Sequence, residues 1–568
     1  MPDRAYSSDA FNRLPFRDQL EALYGISARE RRDLIVASPN ALRLVRSFAA
    51  ESLFHTLKEV GLEDSTDLLA LASGEQVCAF VDLDCWKKDR LAIATLLDWL
   101  EALIEAGGRA IGEFLNSIDR DLLVLLLKRF VRVHRRDDPE EPEEDLEGQE
   151  IFELDEHYQI VFHAWDARAP LVRQLIEALY ERDYSYFVTV AEQIGWGVDS
   201  ELEEASFRLR NARLQDRGFP DYFEAQQIYR PLVVKDLAPR SQPLGETRPD
   251  DPDAVPQHRS LVMPESGESF FAQVLNASFS GEAATELQQE LAYLVNRVLV
   301  ADGVDFADRE QVAEKIRMAH DAVNLALESS SGVDVRAAGR LLEHHYVQHL
   351  FRVAWGILLE LRRSAKRTVE AVGFEATASG LAFLDTPHRE ALSGMLRPKP
   401  QYFFGIDRPG EIHYRAFATL RDVEAAESLI ADVASLSDVC PAIVGQTPAQ
   451  LAALRSPDAD DFRMSAVLLT GFARFVLDGV PSIEPLGAKD LAALREETRD
   501  SETRKLRADV RERFFATLPP NRGYVEFALS RFDDEFLAIA PGRPVDPRFV
   551  TCLMLRTTND AVRRSRAS

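Results

Sequence analysis

The chain is expected to be mainly α: multidomain helical arrays and a bundle, carrying small β-hairpins. Three observations predict this class. Apolar residues recur at helical spacing through most of the 568 positions. Two aspartate-led leucine runs, Asp67-Leu68-Leu69-Ala70-Leu71 and Asp121-Leu122-Leu123-Val124-Leu125, each follow a polar turn, as helix starts do. The chain exceeds what one core organises, and charged and proline-rich stretches divide it, so about two to four domains are expected.

An aspartate at 67 or 121 can accept the free N–H groups of a first turn and suits the positive end of the helix dipole. The leucines behind it need a neighbouring helix, so stacked helical pairs are expected. The offset of 121 − 67 = 54 residues exceeds the roughly 33–47 of common helical repeats, which argues against a regular solenoid. Residues 91–106 place Leu96, Leu97, Leu100, Leu103 and Ile104 on one face, and Gly107-Gly108 stops that helix. Residues 170–180 repeat the texture with Leu171, Leu175, Ile176 and Leu179. Before them, 151–154 and 158–163 predict a hairpin around Asp155-Glu156. Three long helices follow at 282–300, 308–327 and 334–371; short turns at 301–307 and 329–333 make them antiparallel neighbours. A second hairpin pairs 402–404 with 412–417 across Asp407-Arg408-Pro409-Gly410. Thr419-Leu420-Arg421-Asp422 then reads as a capping box, and helices resume at 461–478, 488–518 and 523–539.

Three breaks set the domain organisation. Arg135-Arg136-Asp137-Asp138-Pro139-Glu140-Glu141-Pro142 opens a like-charge run whose repulsion and prolines oppose a packed helix. Residues 239–268 hold Pro243, Pro249, Pro252, Pro256 and Pro264 among polar residues, an irregular connector. Pro398-Lys399-Pro400 marks a change from helical to strand patterning. The expected division is a helical domain at 1–134, an acidic linker at 135–150, a hairpin plus helices at 151–238, the connector at 239–268, a long-helix bundle at 269–397, and a hairpin plus C-terminal helices at 398–568.

Acids exceed bases by 94 − 67 = 27, and that field disfavours nucleic acid and anionic lipid. The compact basic clusters are Arg362-Arg363-Ser364-Ala365-Lys366-Arg367 and Arg563-Arg564-Ser565-Arg566. Cys78, Cys85, Cys440 and Cys552 form no Cys-x-x-Cys pair and suit small core hydrophobes in a reducing compartment. Residues 1–6 carry no apolar signal core, and no stretch is long and apolar enough to span a membrane. A cytoplasmic protein without membrane insertion is expected.

The metal candidates are His345 and His349, placed at i, i+4 on one face of the expected 334–371 helix, with His320 on the preceding helix as a third ligand. The sequence around them is not His-Glu-x-x-His, and partly buried structural histidines explain the face equally well. Asp302-Gly303-Val304-Asp305-Phe306-Ala307-Asp308 lacks the sixth-position glycine of a calcium loop and reads as a helix junction capped by Asp305 or Asp308. Asp385-Thr386-Pro387-His388-Arg389-Glu390 invites acid–base chemistry, but Thr386 as N-cap with Pro387 in the first turn is a common helix start. Convergence of His388, Lys399, Tyr402 and His413 in one cleft would favour an enzyme. No phosphate-cradling glycine loop, nucleophile elbow or kinase motif is present, and no catalytic residue or cofactor is assigned.

With Val81-Asp82-Leu83-Asp84-Cys85-Trp86, Leu175-Ile176-Glu177-Ala178-Leu179, Leu384-Asp385-Thr386-Pro387-His388-Arg389 and Leu396-Arg397-Pro398-Lys399-Pro400, the chain resembles a family of uncharacterised bacterial proteins known as a domain of unknown function. The resemblance runs from Leu14-Pro15-Phe16-Arg17 to the C-terminal helices and implies no activity. Residues 38–133 are also similar in texture to the helical cytosolic domains of magnesium transporters and flagellar motor switch proteins. The repeated helix starts and acidic linker lead to the expectation of a non-enzymatic cytosolic adaptor or regulatory scaffold that binds a protein partner through helical surfaces. The alternative is an enzyme or metal-dependent sensor with a site in the 300–415 region, for which a divalent metal would be the cofactor.

Overall fold

Apolar helix faces close on one another through most of the chain, giving a mainly helical protein with small antiparallel sheets of two or three strands. The computed structural model describes residues 7–24, 26–136, 150–241, 244, 269–454, 463–539 and 550–556. Most of the expected acidic linker and proline-rich connector, and the Arg563–Arg566 cluster, lie outside the described residues. The chain divides into two compact units, one of residues 1–230, 237–320 and 334–352, the other of 231–236, 321–333 and 353–568.

The first unit is organised around aromatic and leucine side chains from helices Ala50–Val60, Gly74–Asp84, Ile93–Ala106 and Arg120–Lys128. Trp99 stacks on Phe80 at 5.3 Å and on Phe54 at 6.2 Å. Its indole N–H is buried and donates to Asp84 Oδ2 at 2.7 Å, which also takes Lys58 Nζ at 2.9 Å. The leucine runs do bury their apolar faces, and the two aspartates differ: Asp67 Oδ1 accepts the Leu68 N–H of its own first turn at 2.8 Å. Asp67 opens a single turn, Thr66–Leu69, and pairs with Arg32 at 2.7 Å. Asp121 accepts from Gln193 Nε2 at 2.9 Å, and the N-cap position of its helix belongs to Asp119, which pairs with Arg213 at 2.8 Å.

The predicted 151–163 hairpin forms, with Ile151–Glu153 antiparallel to Tyr158–Phe162. A strand that helical patterning hid, Val131–Arg135, pairs along the other side of Tyr158–Phe162, with Val131 opposite Phe162. One apolar core therefore runs from Phe11 to Phe219, across the expected boundary between the 1–134 and 151–238 blocks. A further two-residue strand pair, Trp86–Lys87 with Arg90–Leu91, was not expected either.

The long helices appear as Gly281–Asp302, Arg309–Ser331 and Val347–Val372. Asp308 accepts from Gln311 N at 3.0 Å and so caps the second of them, as the carboxylate spacing predicts. The expected 334–371 helix is interrupted: Val335–His344 ends, His345 is extended at φ −133° and ψ 147°, and a new helix starts at Val347. Long-range partners cause the break. Arg240 N–H and Nε take the His344 and Leu342 carbonyls at 2.7 and 3.1 Å, and Glu290 accepts from Val347 N at 3.1 Å. These bonds satisfy the helix ends that continuous helix would otherwise join.

In the second unit, Tyr402–Phe403 pairs with Tyr414–Arg415, a short form of the predicted hairpin. Thr419 and Asp422 form the expected capping box at the start of Leu420–Val444. The expected 488–518 helix splits into Ala488–Thr498 and Ala508–Phe515, because Asp500 turns the chain by accepting from Glu502 and Thr503 N–H at 3.0 and 2.8 Å. Gly523–Phe532 continues as one wider π-turn, Asp533–Leu537.

Candidate functional site

A buried polar cluster of the second unit grows from Asp385, 3% exposed. Its Oδ2 accepts from Ser465 N at 2.9 Å and Tyr524 OH at 3.0 Å; its Oδ1 accepts from Ser465 Oγ at 2.6 Å and from Arg531. Arg531 also bonds Glu535, which accepts from Thr551 Oγ1 at 2.8 Å. Asp385 thus supplies an N-terminal acceptor for the Met464–Asp478 helix and a counter-charge for Arg531. Burial beside that carboxylate pushes the Tyr524 phenol well above its ordinary pKa, so it remains a donor. The arrangement fastens chain segments together.

The helix after it departs from expectation. Thr386–Pro387 is a cis peptide, and Pro387, not Thr386, occupies the N-cap position of His388–Met395. His388, 1% exposed, bonds Asp432 at 3.1 Å and packs on Tyr524 and Phe527 at 4.7 and 4.5 Å. Its Nδ1 is buried without a hydrogen-bond partner. Tyr402 instead lies under Arg415 at 4.3 Å, His413 is exposed beside Phe404 at 4.6 Å, and Lys399 is half-buried. These contacts give His388, Tyr402 and His413 separate surroundings, not one polar cleft. The Arg362–Arg367 cluster is largely neutralised on its own helix: Glu360 pairs with Arg363 and Arg367, and Glu370 with Lys366.

The metal candidates fall in the first unit. The helix break removes the shared i, i+4 face of His345 and His349. His345 Nδ1 faces the Ala238 carbonyl at 3.0 Å, and His320 is buried against Phe271 at 5.9 Å. His349 packs edge-on against Tyr346 at 5.6 Å, its Nδ1 buried without a partner. Burial, then Arg352, His345, Arg240 and Arg297, hold its pKa below the ordinary histidine value. A divalent cation would face the same repulsion. Among the described residues, no group of three or more His, Cys, Asp or Glu side chains is placed to hold a metal.

Sequence reasoning missed the arginines around His349. Arg297, 9% exposed, bonds Gln348 Oε1 at 2.6 Å and the Glu224 carbonyl at 2.7 Å. Arg352 Nε donates to the Arg230 carbonyl at 2.7 Å. Arg240 forks onto Glu290 and lies over Tyr346 at 4.8 Å. These residues are far apart in the chain, and no local motif announces them.

The same region displays apolar surface. Asp221 caps the Tyr222–Gln226 helix by accepting from Phe223 and Glu224 N–H at 2.8 and 3.2 Å. Tyr222 and Phe223 are 55% and 80% exposed, their rings 5.7 Å apart and nearly perpendicular. Arg297 and Tyr293, which donates to Glu224 Oε1 at 3.0 Å, hold this turn from the Gly281–Asp302 helix. No helix among the described residues is long and apolar enough to cross a membrane.

No curated protein and no solved structure matches the chain, so the likeness of residues 38–133 to magnesium transporters and motor switch proteins is not shown. A family model described as a family of unknown function does match, over residues 8–556, nearly the whole length. The chain belongs to that family of unknown function, DUF6178.

Proposed function

We propose that this protein is a non-enzymatic cytosolic adaptor or regulatory scaffold that binds a protein partner through helical surfaces. The observation that carries the reading is the Tyr222–Phe223 pair, exposed yet fixed by Asp221, Tyr293 and Arg297. Large aromatic side chains dominate binding energy at protein interfaces, and anchors ordered in advance lose less entropy on docking. Trp196, 72% exposed at the end of Tyr184–Trp196, adds a second exposed large aromatic side chain. The cytosolic assignment draws on four buried free cysteines; burial pushes the Cys78, Cys440 and Cys552 thiols up to about 12. Affinity capture with wild-type and Phe223→Ala chains tests the reading: a protein retained by the first and depleted from the second is expected, and identical profiles would contradict it.

The competing reading, an enzyme or metal-dependent sensor with a site in residues 300–415, draws on His388 with its Asp432 bond and unpartnered Nδ1. Metal analysis of untagged protein separates the sensor form of it. Less than about a tenth of an equivalent would dismiss a resident metal.

A further inference from the structure

The guanidinium groups near His349 are answered mostly by neutral acceptors. Arg297 rests on a glutamine amide and a backbone carbonyl, and Arg352 rests on another carbonyl. Among the described residues, no carboxylate pairs with Arg230, Arg297 or Arg352; Glu290 is taken up by Arg240 and Val347. Arg297 is 9% exposed, and a buried guanidinium without a carboxylate partner is unusual. Two buried side-chain nitrogens at this place, Arg297 Nε and His349 Nδ1, have no hydrogen-bond partner. Repulsion within the cluster also lowers the Arg352 pKa, with burial first and then Arg230 and Arg297 as causes.

We propose that the Arg297–His349–Arg352 cluster, with Arg230 at its rim, is a binding site for a tetrahedral oxyanion, either free phosphate or a small phosphomonoester. The planar guanidinium fork suits tetrahedral oxyanions, and charge-assisted hydrogen bonds to them are among the strongest a protein makes. Such a ligand offers acceptors to Arg297 Nε and the Arg352 fork and offsets the mutual repulsion of the three arginines. Bound phosphate favours protonated His349, while the arginines favour the phosphate dianion, so proton uptake by the first and release by the second oppose each other. The site has the opposite ligand charge from the one the histidine spacing suggests, and it does not depend on the adaptor reading.

The test is calorimetric titration of the full chain at low ionic strength with inorganic phosphate, methyl phosphate and acetate. One saturable phosphate-class site is expected, with acetate about tenfold weaker or more. Arg352→Met should weaken binding about tenfold or more, and the exposed Arg230→Met, which keeps the fold, by roughly threefold. Tighter binding of methyl phosphate assigns the site to a phosphomonoester, and tighter binding of inorganic phosphate to the free ion. No saturable heat, equal affinity for acetate, or wild-type affinity in Arg230→Met and in folded Arg352→Met would overturn the proposal.

Discussion

The Glu290 carboxylate accepts from the Val347 backbone N–H at 3.1 Å, and this bond starts a new helix where the sequence pattern runs straight on. Arg240 grips the same carboxylate while its own backbone and Nε take the last carbonyls of Val335–His344. The direction of His345, and the loss of a shared face with His349, follow from these bonds. Glu290→Gln removes the charge facing a nearly buried Arg240. A loss of about 1.5–3 kcal/mol in urea unfolding is expected, together with faster hydrogen exchange at Val347; unchanged exchange there would contradict this cause of the break.

Asp385 holds Ser465, Tyr524 and Arg531 at once. Asp385→Ala leaves buried donors and part of the Arg531 charge unanswered. A destabilisation of about 3–5 kcal/mol is expected by denaturant unfolding, whereas the exposed Glu496→Ala should stay within about 0.5 kcal/mol.

The contrast between caps and clusters explains what could be read from residues alone. Thr419 and Asp422 meet within one turn, and Asp308 meets Gln311 as closely, so both helix starts follow from local spacing. The strand Val131–Arg135 needs Tyr158–Phe162, and the helix break needs Arg240 and Glu290; those partners are set by tertiary packing. Asp500 shows the intermediate case, a short turn hidden inside apolar spacing that suited a continuous helix. The candidate site was least accessible of all. His345 and His349 were visible as a pair, but Arg230, Arg297 and Arg352, which decide the charge of their surroundings, come from separate segments.

His55 supplies a pH prediction. Burial first, then the charges of Arg309 and Arg31, lower its pKa to about 4. The unfolded chain therefore binds the proton more readily, and the stability contributed by neutral His55 is present above about pH 6.5 and lost as pH falls toward 4. The slope should be at most about 1.4 kcal/mol per pH unit from this group. His55→Gln should flatten urea midpoints across that window; an unchanged slope would count against the buried neutral histidine.

Removing an exposed anchor should act on binding and spare the fold. Phe223 is 80% exposed, so Phe223→Ala should change the urea midpoint by less than about 0.5 kcal/mol equivalent. A larger loss would mean that the side chain serves packing and is no free anchor.

The most direct measurement places a photo-crosslinking amino acid at position 223 of the full chain in cells, with position 496 as an exposed control. The adaptor reading predicts a discrete protein adduct at 223 that is absent at 496 and competed by unmodified chain but not by the Phe223→Ala chain. No adduct at 223, or the same adducts at both positions, would contradict it.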